Sequence, residues 1–400
     1  MVAAKFRAFL DRSFTWRVQQ LDRRLQAIGS FNDGSGEHLR PPSELIPVLM
    51  IIDVEPDGFF IPRDDPLPWR GYERVHEFFH EFRPLCSQVT GRATHYCWYL
   101  RIDPQIAEVY GDPAWVRKRY RNFIDENIAA GDEIGLHPHD YRWDLAANSW
   151  VVDHGNQAWI DLCVRMSFDV FHQSFGRVCD SFRFGDRWMN DETLRLIESL
   201  GARFDLTLEP GRTAALASFP NKPFTGSLPD YSNVPYTPFR PSRQDFRKSD
   251  PSRSDGIWMI PLSAAVTDDC SALVRSWKKI IGDPAPDPVY HTLNLAHDPE
   301  FFIAAIDRAF RASASSYLAF VIRSDIASKP KLFVNLSRNF TALLAHPLAR
   351  HFVFSTPAEC MRLLRLIQTD EPSGLVQPGT SSASRARYEH VGRVTPADSI

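Results

Sequence analysis

Apolar residues fall along this chain in short runs that end in charge. PVLMIIDV (47–54) has no polar break before Asp53, and THYCWYLRI (94–102), DEIGLH (132–137) and SFRFGD (181–186) close in the same way. Such runs predict strands covered on both faces, where odd and even positions alike must be apolar. Between them the period changes. A helix is expected from Pro113 through VRKRYRNFIDENIAA to Gly131, with proline in its first turn and glycine past its end. Residues 156–179 predict a second, with Trp159, Leu162, Val164 and Met166 on or near its apolar side. DETLRLIESLG (191–201) predicts a third, capped by Asp191 and stopped by Gly201. ARFDLTL, GIWMIPLS, YLAFVIRSD and HFVFST add four strand candidates.

Strands alternating with helices imply a parallel sheet. About eight of them over roughly 320 residues predict an α/β fold, a distorted (β/α) barrel of seven to eight strands. Three stretches lack any period. Residues 28–44, with Gly29, Gly34, Gly36, Pro41 and Pro42, read as a linker, and 209–256, rich in Pro, Ser, Arg and Asp, as a long loop over one face. The tail from Asp370 has a disordered composition. The expected organisation is an N-terminal segment over 1–45, a barrel over 46–369 and a tail over 370–400.

Composition narrows the function classes. At 400 residues and 44% hydrophobic the chain can bury a large core, and a net charge of −3 argues against a broad nucleic-acid footprint. Six cysteines without paired spacing read as core residues of a reducing compartment. No apolar run approaches the roughly 18 residues a membrane span needs, and charges interrupt every apolar stretch at the N-terminus, so a cytoplasmic location is expected. The first 25 residues hold six basic and two acidic side chains among Phe6, Phe9, Leu10, Phe14 and Leu21. They predict a basic amphipathic helix, which would contact an anionic membrane surface or pack on the domain with its basic face in solvent.

In a parallel barrel the chemistry gathers where strands end. Strand one ends with Asp53 and Glu55, and strand three with His137 and His139; each pair is spaced i, i+2 and so shares a face. Arg183 and Asp186 flank Gly185 at the fourth strand's end, and Arg323 and Asp325 close a late strand. Two carboxylates and two imidazoles on shared faces suit a divalent metal, zinc first among the candidates.

These segments resemble the polysaccharide deacetylase (NodB-homology) superfamily of metal-dependent carbohydrate esterases, over about residues 46–365. IIDVEPDG resembles its first motif, DEIGLHPHDY its second, and SFRFGDRWMNDETLRLIESLGARFDLTL a longer run of arginine, aromatic, helix, Leu-Gly and strand. The resemblance implies that Asp53 is the catalytic base, Glu55 and His137 are metal ligands, and Arg183 orients the base. It implies removal of an N- or O-acyl group, acetyl above all, from a carbohydrate or related amide. The departures are specific. The second histidine usually stands four residues after the first, where this chain has Tyr141; His139, at +2, is the expected replacement provided the chain does not turn at Pro138. The acidic ligand is Glu55 where aspartate is commoner. The late-strand histidine that acts as general acid is absent, and Asp325 takes its place as the catalytic candidate, with His154, His291 and His297 as substitutes nearby.

Tyr141, His154 and Asp186, with Tyr236 and Arg240 in the long loop, are the expected substrate contacts, since aromatic faces stack on sugars and arginines bind oxyanions. Two other readings stay open: a barrel that only binds carbohydrate, motivated by the missing histidines, and a glycosidase using Asp53 and Glu55. Carboxylates two apart on one strand are too close for most glycosidase pairs.

Overall fold

The structure is a computed structural model. It describes residues 45–367, apart from 59, 217–221, 268–288, 300–301, 303–304 and 307–316, and apart from the side chains of 265–267 and 289–291. The expected basic helix and linker before Leu45 and the tail over 370–400 lie outside the described residues.

The strands in chain order are β1 (Ile46–Val54), β2 (Cys97–Leu100), β3 (Glu133–Leu136), β4 (Tyr141–Asp144), β5 (Ser149–Asp153), β6 (Ser181–Phe182) and β7 (Phe204–Asp205). They continue with β8 (Phe224–Thr225), β9 (Trp258–Met259), β10 (Ala264–Thr267), β11 (Val289–Thr292), β12 (Leu318–Arg323) and β13 (Phe352–Phe354). Eight form one sheet in the order β12-β1-β2-β3-β6-β7-β9, with β13 beside the start of β1. Every pairing in it is parallel. Irregular backbone draws the β9 and β12 edges together: Ser263 N donates to Ala319 O at 3.1 Å, and Val321 N to Leu293 O at 3.0 Å. The expected barrel of seven to eight strands is present, distorted by this irregular seam.

Two hairpins went unread in the sequence, because their strands are short and amphipathic: β4–β5, extended by β8, and β10–β11. A 21-residue helix, α1 (Arg70–Thr90), was also missed. Its apolar period over Tyr72, Val75, Phe79, Phe82 and Cys86 is interrupted by Pro84. The helix expected from Pro113 to Gly131 is two, Trp115–Arg119 and Arg121–Ala129, parted at Tyr120, whose ring packs on Trp69, Tyr72 and Trp115. The third expected helix runs from Asp191 to Ser199. Asn190, not Asp191, caps it by accepting from Thr193 N, while Asp191 accepts from Phe246 N and ties down the long loop.

Alternation along β1 sorts its side chains. Val48, Met50, Ile52 and Val54 pack toward the helices, whereas Leu49 and Ile51 join Cys97, Tyr99, Leu206, Ile260, Leu262, Ala319 and Val321 inside the barrel. Asp53 and Glu55 continue the interior face past the last apolar layer. No helix among the described residues is long and apolar enough to cross a membrane.

Candidate metal centre

The interior faces of β1, β3, β6 and β12 meet at the sheet's C-terminal edge in a cavity of about 260 Å³ lined by Asp53, Glu55, His137, His139, Arg183 and Arg323 among others. β1 brings Asp53 and Glu55, 2% and 1% exposed. β3 passes into an extended stretch: His137 N donates to Leu100 O, Arg183 N to Leu136 O and Gly185 N to Pro138 O, each at 2.9 Å. The chain therefore does not turn at Pro138, and alternation carries His137 and His139 to the same side.

Three ligand atoms converge. His137 Nε2 lies 3.2 Å from Glu55 Oε1 and 3.3 Å from His139 Nε2, and His139 Nε2 lies 3.5 Å from the same carboxylate oxygen. Asp53 Oδ2 stands 3.8 Å from His137 Nε2. His137 Nδ1 is 2.9 Å from Arg183 O, and a carbonyl can only accept, so Nδ1 carries the hydrogen and Nε2 offers a lone pair. Two imidazole nitrogens and a carboxylate facing one point need a cation among them, a proton or a metal. Burial and the Arg101 charge lower the His139 pKa, but Asp186 and Glu55 outweigh them and push it up to about 9. Burial alone would raise the Glu55 carboxyl; Arg323, His137 and His139 hold it well below its ordinary value. The donor set is buried, convergent and chemically matched to a divalent transition metal.

The surrounding layer fixes these side chains. Arg183 Nε donates to both oxygens of Asp53, its Nη1 donates to Leu206 O, and Nη2 reaches Glu209 at 3.8 Å. Fully buried Arg101 faces Glu55 at 3.5 Å while binding Asp103 and Gln105. Arg323 Nε lies 3.6 Å from Glu55 Oε1. His139 Nδ1 stands 3.5 Å from Asp186, whose Oδ2 accepts from Tyr141 Oη at 2.9 Å. Tyr141 thus serves Asp186 and stays out of the cluster that His139 joins with Glu55 and His137. Burial raises the Asp186 carboxyl, but His139 more than offsets this and draws it down to about 2.

Backbone geometry at β6's exit is exacting. A Cβ on Gly185 would sit 2.4 Å from the His139 ring. Asp186 (φ 52) and Arg187 (φ 56) follow in the left-handed region, a conformation costing about 1–3 kcal/mol for each non-glycine residue. Tyr231 Oη pins the turn by donating to Arg187 O at 2.7 Å.

The remaining candidates fall elsewhere. Asp325 is buried beside Arg323 (3.3 Å) and Lys329 (3.5 Å) and does not line the cavity. His154 pairs with Asp140 at 2.7 Å and stacks on Trp188, also off the wall. Tyr236 is 38% exposed and Arg240 lies over the Trp258 ring, and neither lines the cavity. His297 Nε2 contacts Thr292 O, and the His291 side chain lies outside the described residues. Sequence reasoning missed Arg101, Arg187, Glu209, Arg212 and Asn294; of these, Arg101 follows Cys97 and Tyr99 at the i, i+2 spacing already used for β1 and β3.

No protein-family model and no curated protein matches the chain. Solved structures do. One, assigned as a polysaccharide deacetylase from Mycobacterium smegmatis, is 11% identical, with 82% of this chain and 92% of that one covered and a TM-score of 0.40. Polysaccharide deacetylases are thus among the structures it resembles. PuuE allantoinase is 13% identical over 81% of this chain and 92% of its own, with a TM-score of 0.44. A chain assigned as a glycoside hydrolase/deacetylase from Parabacteroides distasonis is 12% identical over 82% and 72%, with a TM-score of 0.47. The barrel itself is read from strand order and register, and no activity follows from likenesses at this level.

Proposed function

We propose that this protein is a metal-dependent hydrolase that removes an N- or O-acyl group from a carbohydrate or related amide. The observation that carries the reading is the meeting of Glu55, His137 and His139 on one point, with Asp53 beside it in the grip of Arg183. Glu55, His137 and His139 would hold the metal, zinc or a similar borderline ion. Once bound, such an ion lowers the pKa of water and offsets charge on the acyl oxygen.

The chain's own residues supply the rest. Asp53 accepts a proton from the attacking water and returns it to the departing nitrogen or oxygen, so one carboxylate serves as base and then acid. This double role suits a site where Arg323 ends the late strand and no late-strand histidine lines the wall among the described residues. Arg183 fixes the carboxylate's orientation, and the His137 Nδ1 hydrogen bond to Arg183 O couples the ligand's tautomer to the same residue. Charge at Glu55 is balanced by Arg101 and Arg323 on its two oxygens.

The test is release of acetate from acetylated chito-oligosaccharides and aryl acetates by zinc- or cobalt-loaded protein. Wild type should turn over, chelation should stop it, and Asp53→Asn should lower it by roughly 10²–10⁴ with metal still bound. Full activity in Asp53→Asn would remove the base from the account. The two guanidiniums on Glu55 favour one second reading, a barrel in which Arg323 replaces the metal and carbohydrate is bound without chemistry. It predicts sugar binding indifferent to chelator and no acetate release.

A further inference from the structure

Among the described residues four acids and four arginines line the cavity, and three of the arginines have carboxylate partners. Arg183 grips Asp53, Arg212 pairs with Glu209, and Arg323 lies between Glu55 and Asp325. Arg187 differs. Its half-buried guanidinium makes no ion pair and no hydrogen bond among the described residues. Burial lowers its pKa below the ordinary arginine value; Glu209 opposes this and Arg212 adds to it. The residue sits in a strained left-handed turn whose carbonyl Tyr231 holds, and that turn also aims Asp186 at His139. A half-buried cation with no carboxylate at contact distance, on strained backbone beside the Glu55–His137–His139 cluster, fits a site completed by its ligand.

We propose that the acyl compound taken by this cavity carries an oxyanion, a carboxylate or a phosphate, and that the Arg187 guanidinium binds it. The inference rests on the hydrolase reading for the word acyl, but not for the anion. A guanidinium presents two parallel N–H donors that match both oxyanions. The remaining walls carry donors and acceptors for a polar body: Thr292, Asn294 and Glu209. The substrate class is thus an acylated sugar acid or sugar phosphate, or an acylated amino acid-like amide, in preference to a neutral polysaccharide.

Calorimetric titration of inorganic phosphate, and separately of acetate, into the full chain with chelator present tests this. Chelation ensures that no metal holds the anion. Wild type should bind at least one of them, and the tighter one tells phosphate from carboxylate. Arg187→Gln should weaken binding about tenfold or more, and Arg187→Lys by less, since it keeps the charge and loses the fork. Both variants should melt with wild type. Equal binding by wild type and Arg187→Gln, or no binding of either anion to wild type, would overturn the inference. Failure of the hydrolase reading looks different: no acetate is released from neutral or anionic substrates, while anion binding still follows Arg187.

Discussion

Arg183 Nε lies 3.0 Å from Asp53 Oδ1 and 3.2 Å from Oδ2, so one guanidinium edge holds both oxygens of the carboxylate that ends β1. Both partners are buried. Burial alone would lower the Arg183 pKa, and the Asp53 and Glu209 charges hold it above the ordinary value instead. Arg183→Met therefore leaves Asp53 unpaired away from water, and chemical denaturation should show a loss of about 3–5 kcal/mol. Arg183→Lys keeps the charge but has one nitrogen in place of the Nε and Nη1 that reach Asp53 and Leu206 O separately; it should fold and turn over poorly. A loss in Arg183→Met within experimental error would mean the pair is not a structural unit.

Gly185 is required by the His139 ring. An added methyl would stand 2.4 Å from three ring atoms, with no flexible end to yield. Gly185→Ala should displace the imidazole and lower stability by about 1–3 kcal/mol. Metal affinity should fall with it, read by competition with a zinc-binding dye. Unchanged affinity would show that His139 can shift and still ligate, or that it does not ligate.

Asp205 supplies a pH test away from the ligands. Burial raises its pKa from 3.8 to about 7 against hydrogen bonds from Thr207 N and Oγ1 and the Arg183 charge. An acid whose folded pKa is raised holds its proton more tightly when folded, so stability is fullest below about 3.8. It falls as pH rises toward 7 and stays lowered above that. Asp205→Asn keeps the shape without the charge. It should match wild type below about pH 3.8 and exceed it by roughly 4 kcal/mol at pH 8, on a three-unit shift. Equal melting curves at pH 8 would contradict the raised pKa.

Much of the barrel was legible because a strand covered on both faces leaves an unmistakable apolar run, as PVLMIIDV does. Alternation then pointed to Asp53, Glu55, His137 and His139, since a side-chain period of two needs no knowledge of the fold. The same rule at β2 leads from Cys97 and Tyr99 to Arg101, and at β12 from Ala319 and Val321 to Arg323. The first lies inside the run THYCWYLRI and was passed over because chemistry was sought only at the ends of the other strands. Contacts delivered by loops were harder. Glu209, Arg212 and Arg187 reach the cavity through irregular backbone, and nothing in the sequence marks Asp186 and Arg187 as left-handed. Tyr236 and Arg240 differ in the opposite direction: residue types suited to sugars, on a loop that does not bring them to the cavity wall. The helix over 70–90 was hidden by Pro84, which sits in its interior without ending it.

The central claim is that Glu55, His137 and His139 share one metal ion, and metal content tests it most directly. Purified wild type, reconstituted with zinc and freed of excess, should hold close to one equivalent by elemental analysis. His137→Ala and His139→Ala should each lose it, and Glu55→Gln should lose most of it, while all three keep the wild-type circular dichroism. Metal-free wild type after reconstitution, or His139→Ala holding its full equivalent, would contradict the account.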